Sequence, residues 1–396
     1  MAAAGKSRFK KLIGQVHLWL GLTSGIIVVL VSLTGCLFVF QKEISGIVFS
    51  KTFNVEPQQT RLPLSVLQQN AQKAMGANKP INSVTTYKDP SKAWEFMAYK
   101  ANDTAITYFG VMEHYESVFV NPHTGEITGK RNYKYDFFFI VKYLHWSLLL
   151  NTKYGQPVVG YATLIFVIMM ITGLILWWPK KWNKANRKKS FRIKWDAKFK
   201  RINYDLHNVL GFYAMLIAMV IAFTGMVWAF QWFEKLVYVT AAGTSQKPES
   251  KVVKSDSLLV ATSNPLDIAY AEAVKQFSDC KRIGISPAYG KEGTIYMFGY
   301  RGKETYYDYD QLQFDQYSGK LLLRTNHQEH NRGERLIGMN YDIHVGAIGG
   351  LPGKILAFVI SLICASLPIT GFYIWWGRRH NKPSYKKQAV AAMTNA

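Results

Sequence analysis

Four histidines occupy matching positions beside long apolar runs of the chain. His17 opens the run 18–40 and His207 opens the run 208–230, each six residues beyond the last basic residue. His145 and His344 precede two further apolar runs. An ionisable side chain inside a bilayer costs free energy and therefore marks a candidate functional site. Because neutral imidazole is a ligand of haem iron, the pattern indicates a membrane haem protein with these four residues as the metal ligands.

Each histidine is followed along the chain by a Thr-Gly pair. The interval is 17 residues after His17 and His207 and longer after the other two histidines. Glycine lets a backbone approach a flat macrocycle, so these pairs are candidates for lining a cofactor; close packing of helices through small residues is the other reading. The candidate lining residues are Gly21, Gly211, Thr34, Gly35, Thr172, Gly173, Thr224, Gly225, Thr370 and Gly371.

The depth of the histidines predicts two separate sites. At 1.5 Å of rise per residue, His17 and His207 lie about 9 Å inside the cytoplasmic boundary. His145 and His344 fall on short apolar helices at 136–150 and 334–345, at an outer level. We expect the Thr-Gly pairs of the first and third spans at this outer level and the other two pairs at the inner level. Two levels with two histidines each predict two haems, of b type because no Cys-x-x-Cys-His motif is present.

Four apolar blocks predict four transmembrane helices. The blocks 12–40, 158–178, 208–233 and 355–376 contain no Lys, Arg, Asp or Glu, and each reaches the ~20 residues that cross a bilayer. The net charge of +23 is concentrated in the N-terminus, the loop 179–207 and the tail. By the positive-inside rule these segments are cytoplasmic, so the basic residues indicate contact with lipid rather than with nucleic acid.

The halves of the chain follow the same order of features, which predicts an internal two-fold repeat. The fold class is then a membrane protein with an α-helical four-span bundle and two small α+β extracytoplasmic domains. The predicted segments are 1–40 (N-terminus and first span), 41–135 (first outer domain), 136–178 (short helix and second span), 179–207 (basic loop), 208–233 (third span), 234–333 (second outer domain), 334–376 (short helix and fourth span) and 377–396 (tail).

The outer segments contain matching helix and strand patterns. In the first we predict a helix at 63–76 and strands at 93–99 and 116–120, followed by a turn and the start of another strand at 121–127. In the second we predict a helix at 264–277, strands at 293–300 and 304–309, and a turn at 315–320. Gly125 and Gly319 in the two turns fit hairpin positions with positive φ.

A helix and strands that end in Asp/Asn-x-x-Thr/Ser-Gly-Glu/Lys resemble the PepSY domain. The opening segment 11–21 (KLIGQVHLWLG) and the closing segment 370–376 (TGFYIWW) resemble the PepSY-associated transmembrane helix family. The resemblance covers nearly the whole chain and implies two PepSY-like domains. Members include inner-membrane ferric-siderophore reductases with two haems and iron-uptake proteins. Some relatives carry a cytoplasmic flavin module, and we expect none within residues 1–396.

The resemblance implies a haem-dependent oxidoreductase of the bacterial inner membrane, with a ferric siderophore as acceptor and release of Fe(II) during iron uptake. The electron donor, cytoplasmic or a quinol, is not indicated. Two alternatives stay open. One is a quinol-linked cytochrome b with another acceptor, and the other is a non-enzymatic, membrane-anchored PepSY component for binding or import.

The sequence also contains aspartates, tryptophans and further histidines that we do not interpret as haem ligands. Asp205 and Asp342 stand two residues before a candidate ligand, where a carboxylate points away from the ligand face; we expect them to cap helices or to meet arginines that bind propionates. Trp228 and the other tryptophans near span ends are interpreted as interface residues. The remaining histidines singled out, interpreted as solvated loop residues, are His114, His123, His327 and His330.

Overall fold

The computed structural model describes residues 2–179, 181–249 and 251–380. Contacts within the chain define two compact units, which we call the helical unit and the sheet unit. The helical unit comprises Met1–Leu33, Tyr161–Ala222 and Val359–Ala396. The sheet unit comprises Thr34–Gly160 and Phe223–Phe358.

Four helical segments are long and apolar enough to cross a membrane, at Arg8–Phe38, Thr152–Trp177, Phe199–Ala229 and Ala347–Arg379. They confirm the four predicted spans. The helices are α1 (Ala2–Phe38), α2 (Gln41–Val48), α3 (Ser50–Phe53), α4 (Leu64–Met75), α5 (Tyr108–Val111), α6 (Phe137–Ser147), α7 (Thr152–Trp177), α8 (Lys184–Phe191), α9 (Phe199–Asp205), α10 (Gly211–Ala229), α11 (Gln231–Ala242), α12 (Pro265–Gln276), α13 (Arg332–Gly338), α14 (Asn340–His344) and α15 (Gly350–His380). A π-helical turn, Leu206–Leu210, joins α9 to α10.

The helical unit is packed through small residues on α1. A Cβ placed on Gly25 would lie 3.2 Å from Pro368 on α15, and one on Gly21 would lie 2.9 Å from the Met169 side chain on α7. A Cβ at Gly25 would displace the proline by a few tenths of an ångström, and a Cβ at Gly21 would displace the flexible end of the Met169 side chain. Gly21, a candidate cofactor residue, therefore makes room for a helix neighbour.

The sheet unit contains one eight-stranded antiparallel sheet in the order β4-β3-β2-β1-β5-β6-β7-β8. The strands are β1 (Ser83–Tyr87), β2 (Trp94–Ala101), β3 (Met112–Val120), β4 (Ile127–Asn132), β5 (Arg282–Ser286), β6 (Thr294–Tyr300), β7 (Tyr309–Asp315) and β8 (Leu321–Thr325). Four strands thus come from each predicted outer segment. They meet where β1 pairs with β5, with Val84 opposite Ile285.

The core of the sheet unit lies between one face of the sheet and helices α4 and α12. Phe96 and Phe314 on the sheet and Leu67 on α4 have no exposed surface. Helix α12 contributes Ala269 and Ala273, whose small side chains let it lie close to the strands. Alternation along each strand places these apolar residues on one face, as expected for a half-buried strand.

Most of the predicted elements of the sheet unit are confirmed. The two predicted helices correspond to α4 and α12, and Gly125 and Gly319 have φ values of 78° and 70° in their turns. The predicted strand at 304–309 is wrong, because regular pairing begins only at Tyr309. The backbone N–H groups of Tyr306 and Tyr307 donate instead to Asp342 Oδ2, at 2.8 and 2.9 Å.

Candidate functional site: two histidine pairs

The inner pair consists of His17 on α1 and His207 in the π-helical turn, both within the helical unit. Their ring centres are 6.4 Å apart, and the ring planes are inclined at 89°. The π-helical turn inserts one extra residue into the span and so changes the direction in which His207 points. Such turns occur frequently at functional sites in helices.

Both inner imidazoles are held through Nδ1 by a threonine of the neighbouring span. His17 Nδ1 lies 2.9 Å from Thr172 Oγ1, and His207 Nδ1 lies 3.0 Å from Thr370 Oγ1. The Thr172 hydroxyl donates its own proton to Ile168 O, 3.0 Å away, one turn earlier. The hydroxyl therefore accepts from the imidazole N–H, which assigns the proton to Nδ1 and the lone pair to Nε2.

The outer pair repeats this arrangement within the sheet unit. His145 on α6 and His344 on α14 have ring centres 6.0 Å apart, with planes inclined at 73°. His145 Nδ1 lies 3.2 Å from Thr34 Oγ1, and His344 Nδ1 lies 2.9 Å from Thr224 Oγ1. All four candidate ligands thus use the same ring nitrogen for the same kind of second partner.

The glycine of each Thr-Gly pair lies directly against an imidazole. A Cβ on Gly35, Gly173 or Gly371 would lie closer to the ring Cε1 than an ordinary contact, so these glycines make room for the histidine itself, whereas a Cβ on Gly225 would lie at an ordinary contact distance. That these glycines also face a macrocycle stays a prediction. The distances to Cε1 are 3.3 Å for Gly35 to His145, 3.3 Å for Gly173 to His17, 3.6 Å for Gly225 to His344 and 3.1 Å for Gly371 to His207.

The separation within each pair matches coordination of one metal by two imidazoles. Ring centres 6.4 and 6.0 Å apart would leave room for one metal held by His17 and His207 or by His145 and His344, with metal–nitrogen bonds of about 2 Å. In the described residues no group of three or more His, Cys, Asp or Glu side chains is placed to hold a metal ion. Two imidazoles alone suit a metal whose other ligands come from a macrocycle, as in haem.

Asp205 and Asp342 bind partners on other segments and serve as the N-cap of neither helix. Asp205 is fully buried and pairs with Arg201, its Oδ1 being 2.8 Å from Nη2. It also accepts a hydrogen bond from the backbone N–H of Lys194, 3.2 Å away, which connects the basic loop to α9. Asp342 is fully buried and holds the loop before β7; burial raises the pKa of its carboxyl group despite the two N–H donors.

Two asparagines that we did not predict support the threonines of the second half. Asn203 Nδ2 donates to Thr370 O, and Asn340 Nδ2 donates to Thr224 O, each at 3.0 Å. Each asparagine stands four residues before the histidine that its threonine contacts. The similar sequences NYDLH at 203–207 and NYDIH at 340–344 could have indicated these asparagines, because each places an asparagine four residues before a candidate ligand.

Trp228 and the four histidines interpreted as solvated loop residues have surroundings that differ from those predicted from the sequence. Trp228 contacts the His344 ring, with centroids 5.2 Å apart, so it belongs to the surroundings of the outer pair. His123 is buried, with Nδ1 2.6 Å from Thr60 O and Nε2 2.9 Å from Pro90 O, so its interpretation as a solvated residue is wrong. The three remaining histidines are only partly exposed; they are His114, His327 and His330, the last two with ring centres 5.9 Å apart.

The chain belongs to the family described as the PepSY-associated TM region, whose model matches residues 15–378. The match includes all four histidines of the two pairs and all four Thr-Gly pairs. Together with the four apolar helices, it identifies the chain as a PepSY-associated membrane protein. The sequence matches no curated protein.

Proposed function

We propose that the protein is a di-haem oxidoreductase that carries electrons across the membrane. His17 and His207 bind one haem b, and His145 and His344 bind the other. The observation that carries this proposal is the matched geometry of the pairs: ring centres 6.4 and 6.0 Å apart, with every Nδ1 engaged by a threonine.

The residues of each pair prepare a neutral imidazole for a metal. Haem b, when bound, supplies an iron that alternates between Fe(III) and Fe(II) and so exchanges single electrons. Each threonine holds the proton on Nδ1, fixes the ring orientation and leaves Nε2 basic, which is the role of the second partner in metal–histidine sites. The adjoining glycine allows the ring to lie flush against the helix.

We place the protein in the inner membrane of a bacterium, with the termini and the basic loop in the cytoplasm. The charge distribution supports this orientation. The segments 41–135 and 234–333 then face outward, and their two groups of four strands, each preceded by a helix, represent two PepSY-like domains of an internal two-fold repeat. The shared strand order of the two groups supports the duplication.

The proposed acceptor is a ferric siderophore on the outer side, and the donor is a quinol or a cytoplasmic reductant. Each electron from the donor converts one Fe(III) of the substrate to Fe(II). Hard oxygen ligands bind Fe(II) less strongly, so reduction releases the iron. The substrate assignment rests on the resemblance to siderophore reductases and is therefore the part of the proposal to test separately.

The first experiment is an absorption spectrum of the purified protein, oxidised and reduced with dithionite, with haem quantified per chain. We expect two low-spin b-type haems. His17→Ala and His145→Ala should each lose one haem, whereas His330→Ala, outside both pairs, should keep two. Absence of haem after expression with sufficient haem supply would contradict the proposal and favour a binding or import component.

A second experiment separates electron transfer from substrate choice. Protein in liposomes, reduced from one side with a quinol, should reduce an enclosed ferric trihydroxamate, detected as an Fe(II)–ferrozine complex. Haem that is reduced by quinol but not reoxidised by any ferric chelate would refute the siderophore assignment and support a cytochrome b with another acceptor.

A further inference from the structure

Lys142 is a cation in apolar surroundings next to the outer histidine pair. It lies on α6, three residues before His145, and is partly buried. Its Nζ lies 4.5 Å from the Phe139 ring centre and 4.9 Å from that of Tyr143. Within the described ranges, no carboxylate forms an ion pair with this lysine.

Two buried cations of the sheet unit have carboxylate partners, whereas buried Arg282 contacts two tyrosine rings and the Thr305 carbonyl. Arg131 pairs with Asp136, and Lys354 pairs with both Glu43, at 2.6 Å, and Glu304, at 2.5 Å. Lys142 has only aromatic faces, which compensate the loss of hydration in part. Desolvation lowers the pKa of its ammonium group to about 8. A charge in this situation is destabilising until an anion joins it.

Lys142 leaves α6 on the same face as the candidate ligand His145. Residues three apart on an α-helix lie on the same face, so the Lys142 and His145 side chains leave α6 on one side. The aromatic residues hold this face in place: Phe139 stacks on Tyr133, with ring centres 4.4 Å apart. Asp136 caps the helix by accepting from the Phe139 N–H, 3.3 Å away. The lysine is therefore presented by a fixed helix end.

We propose that Lys142 forms an ion pair with a propionate carboxylate of the haem bound by His145 and His344. This inference rests on the proposed function, because it requires a haem at the outer pair. An anionic acceptor has the same kind of group, so the experiment must distinguish a carboxylate of the haem from one of the acceptor.

The proposal predicts that neutralising Lys142 has opposite effects with and without haem. Lys142→Met removes an unpaired charge from the haem-free protein, so its melting temperature should equal or exceed that of the unsubstituted protein. In the haem-loaded protein the ion pair is lost. The rise in melting temperature on haem loading should therefore be smaller, and one of the two haems should pass to excess apomyoglobin about tenfold faster.

Three further variants make the comparison specific. Lys142→Arg keeps the charge and should retain most of the haem-induced stabilisation. Lys153→Met removes the same charge at an exposed position of α7 and should behave like the unsubstituted protein. Lys142→Gln supplies a second neutral side chain should Lys142→Met fail to fold.

Equal haem-induced stabilisation and equal haem transfer in the neutral variants and the unsubstituted protein would overturn the proposal. An effect of Lys142→Met that appears only after ferric citrate, an anionic chelate with carboxylate groups, is added would also overturn it, in favour of an acceptor site. If the unsubstituted protein binds no haem, the proposed function itself fails. If it binds two haems and Lys142→Met behaves identically, only the present inference fails.

Discussion

Replacing the glycines beneath the imidazoles by alanine should produce a graded loss of haem. The added methyl group of Gly371→Ala would lie 3.1 Å from His207 Cε1, whereas that of Gly225→Ala would lie 3.6 Å from His344 Cε1. Ordinary carbon–carbon contacts are about 3.5–4.0 Å. The first substitution must therefore displace its imidazole by about 0.4 Å, and the second need not displace it at all.

The expected magnitudes follow from these distances. Metal–ligand bonds tolerate about 0.2 Å, so the shift at His207 exceeds the tolerance. Overpacking at Gly371 costs about 1–3 kcal/mol, and the better helix propensity of alanine offsets about 1 kcal/mol of it. At Gly225 there is no overpacking cost, so only the gain of about 1 kcal/mol in helix propensity remains. Gly35→Ala and Gly173→Ala, each 3.3 Å from its ring, should fall between these limits.

The assay is haem content per chain together with the low-spin electron paramagnetic resonance signal of each haem. Gly371→Ala should lose or shift one haem, and Gly225→Ala should keep both. Gly14→Ala is the control, because its methyl group would meet only Leu176, at 3.9 Å. Equal haem loss in Gly371→Ala and Gly225→Ala would refute the argument that the glycines set the position of the imidazoles.

Three further predictions concern the hydrogen bond, the ion pairs and the sheet. Thr172→Val removes the acceptor of an imidazole N–H and should lower the affinity for the inner haem about 10- to 100-fold, measured by transfer to apomyoglobin; Thr172→Ser should restore it. Lys354→Ala leaves two carboxylates without their cation and should lower the free energy of unfolding by about 2 kcal/mol, less than for a fully buried pair because both carboxylates are partly exposed; Lys100→Ala, at an exposed pair, should have no measurable effect. Gly319→Ala would bring Cβ within 2.5 Å of a backbone carbonyl of α12 and should prevent folding, whereas Gly243→Ala, also at positive φ but in open space, should cost about 1 kcal/mol in thermal unfolding. Similar stabilities for the two alanine variants would contradict the packing of α12 on the sheet.

The spans and the general positions of the histidines could be predicted because they depend on local composition. A run of about 20 apolar residues has no alternative to a helix in lipid, where every backbone polar group must be satisfied within the segment. The spacing of His17 and Thr34 along one helix then follows from a constant rise per residue. Helices α4 and α12 were predictable for the same reason, since their apolar residues recur with helical period.

The strand at 304–309 was mispredicted because a distant side chain competes for its backbone. Tyr306 and Tyr307 suit a strand by residue type, yet their N–H groups bond to Asp342, more than thirty residues away. The pairing of β1 with β5 could not be predicted either, because the residues of a strand do not specify which other strand pairs with it. Strand preference depends on neighbours in space more than on the residue itself.

The sequence by itself determined the four apolar helices, the four histidines and the Thr-Gly pairs, because these follow from residue type and regular spacing along one element. Only the tertiary structure decided which threonine holds which imidazole and that the glycines adjoin the rings. The physical reason is that hydrogen bonds, steric contacts and desolvation act over a few ångströms. Their partners are set by the packing of segments that lie more than one hundred residues apart in the chain.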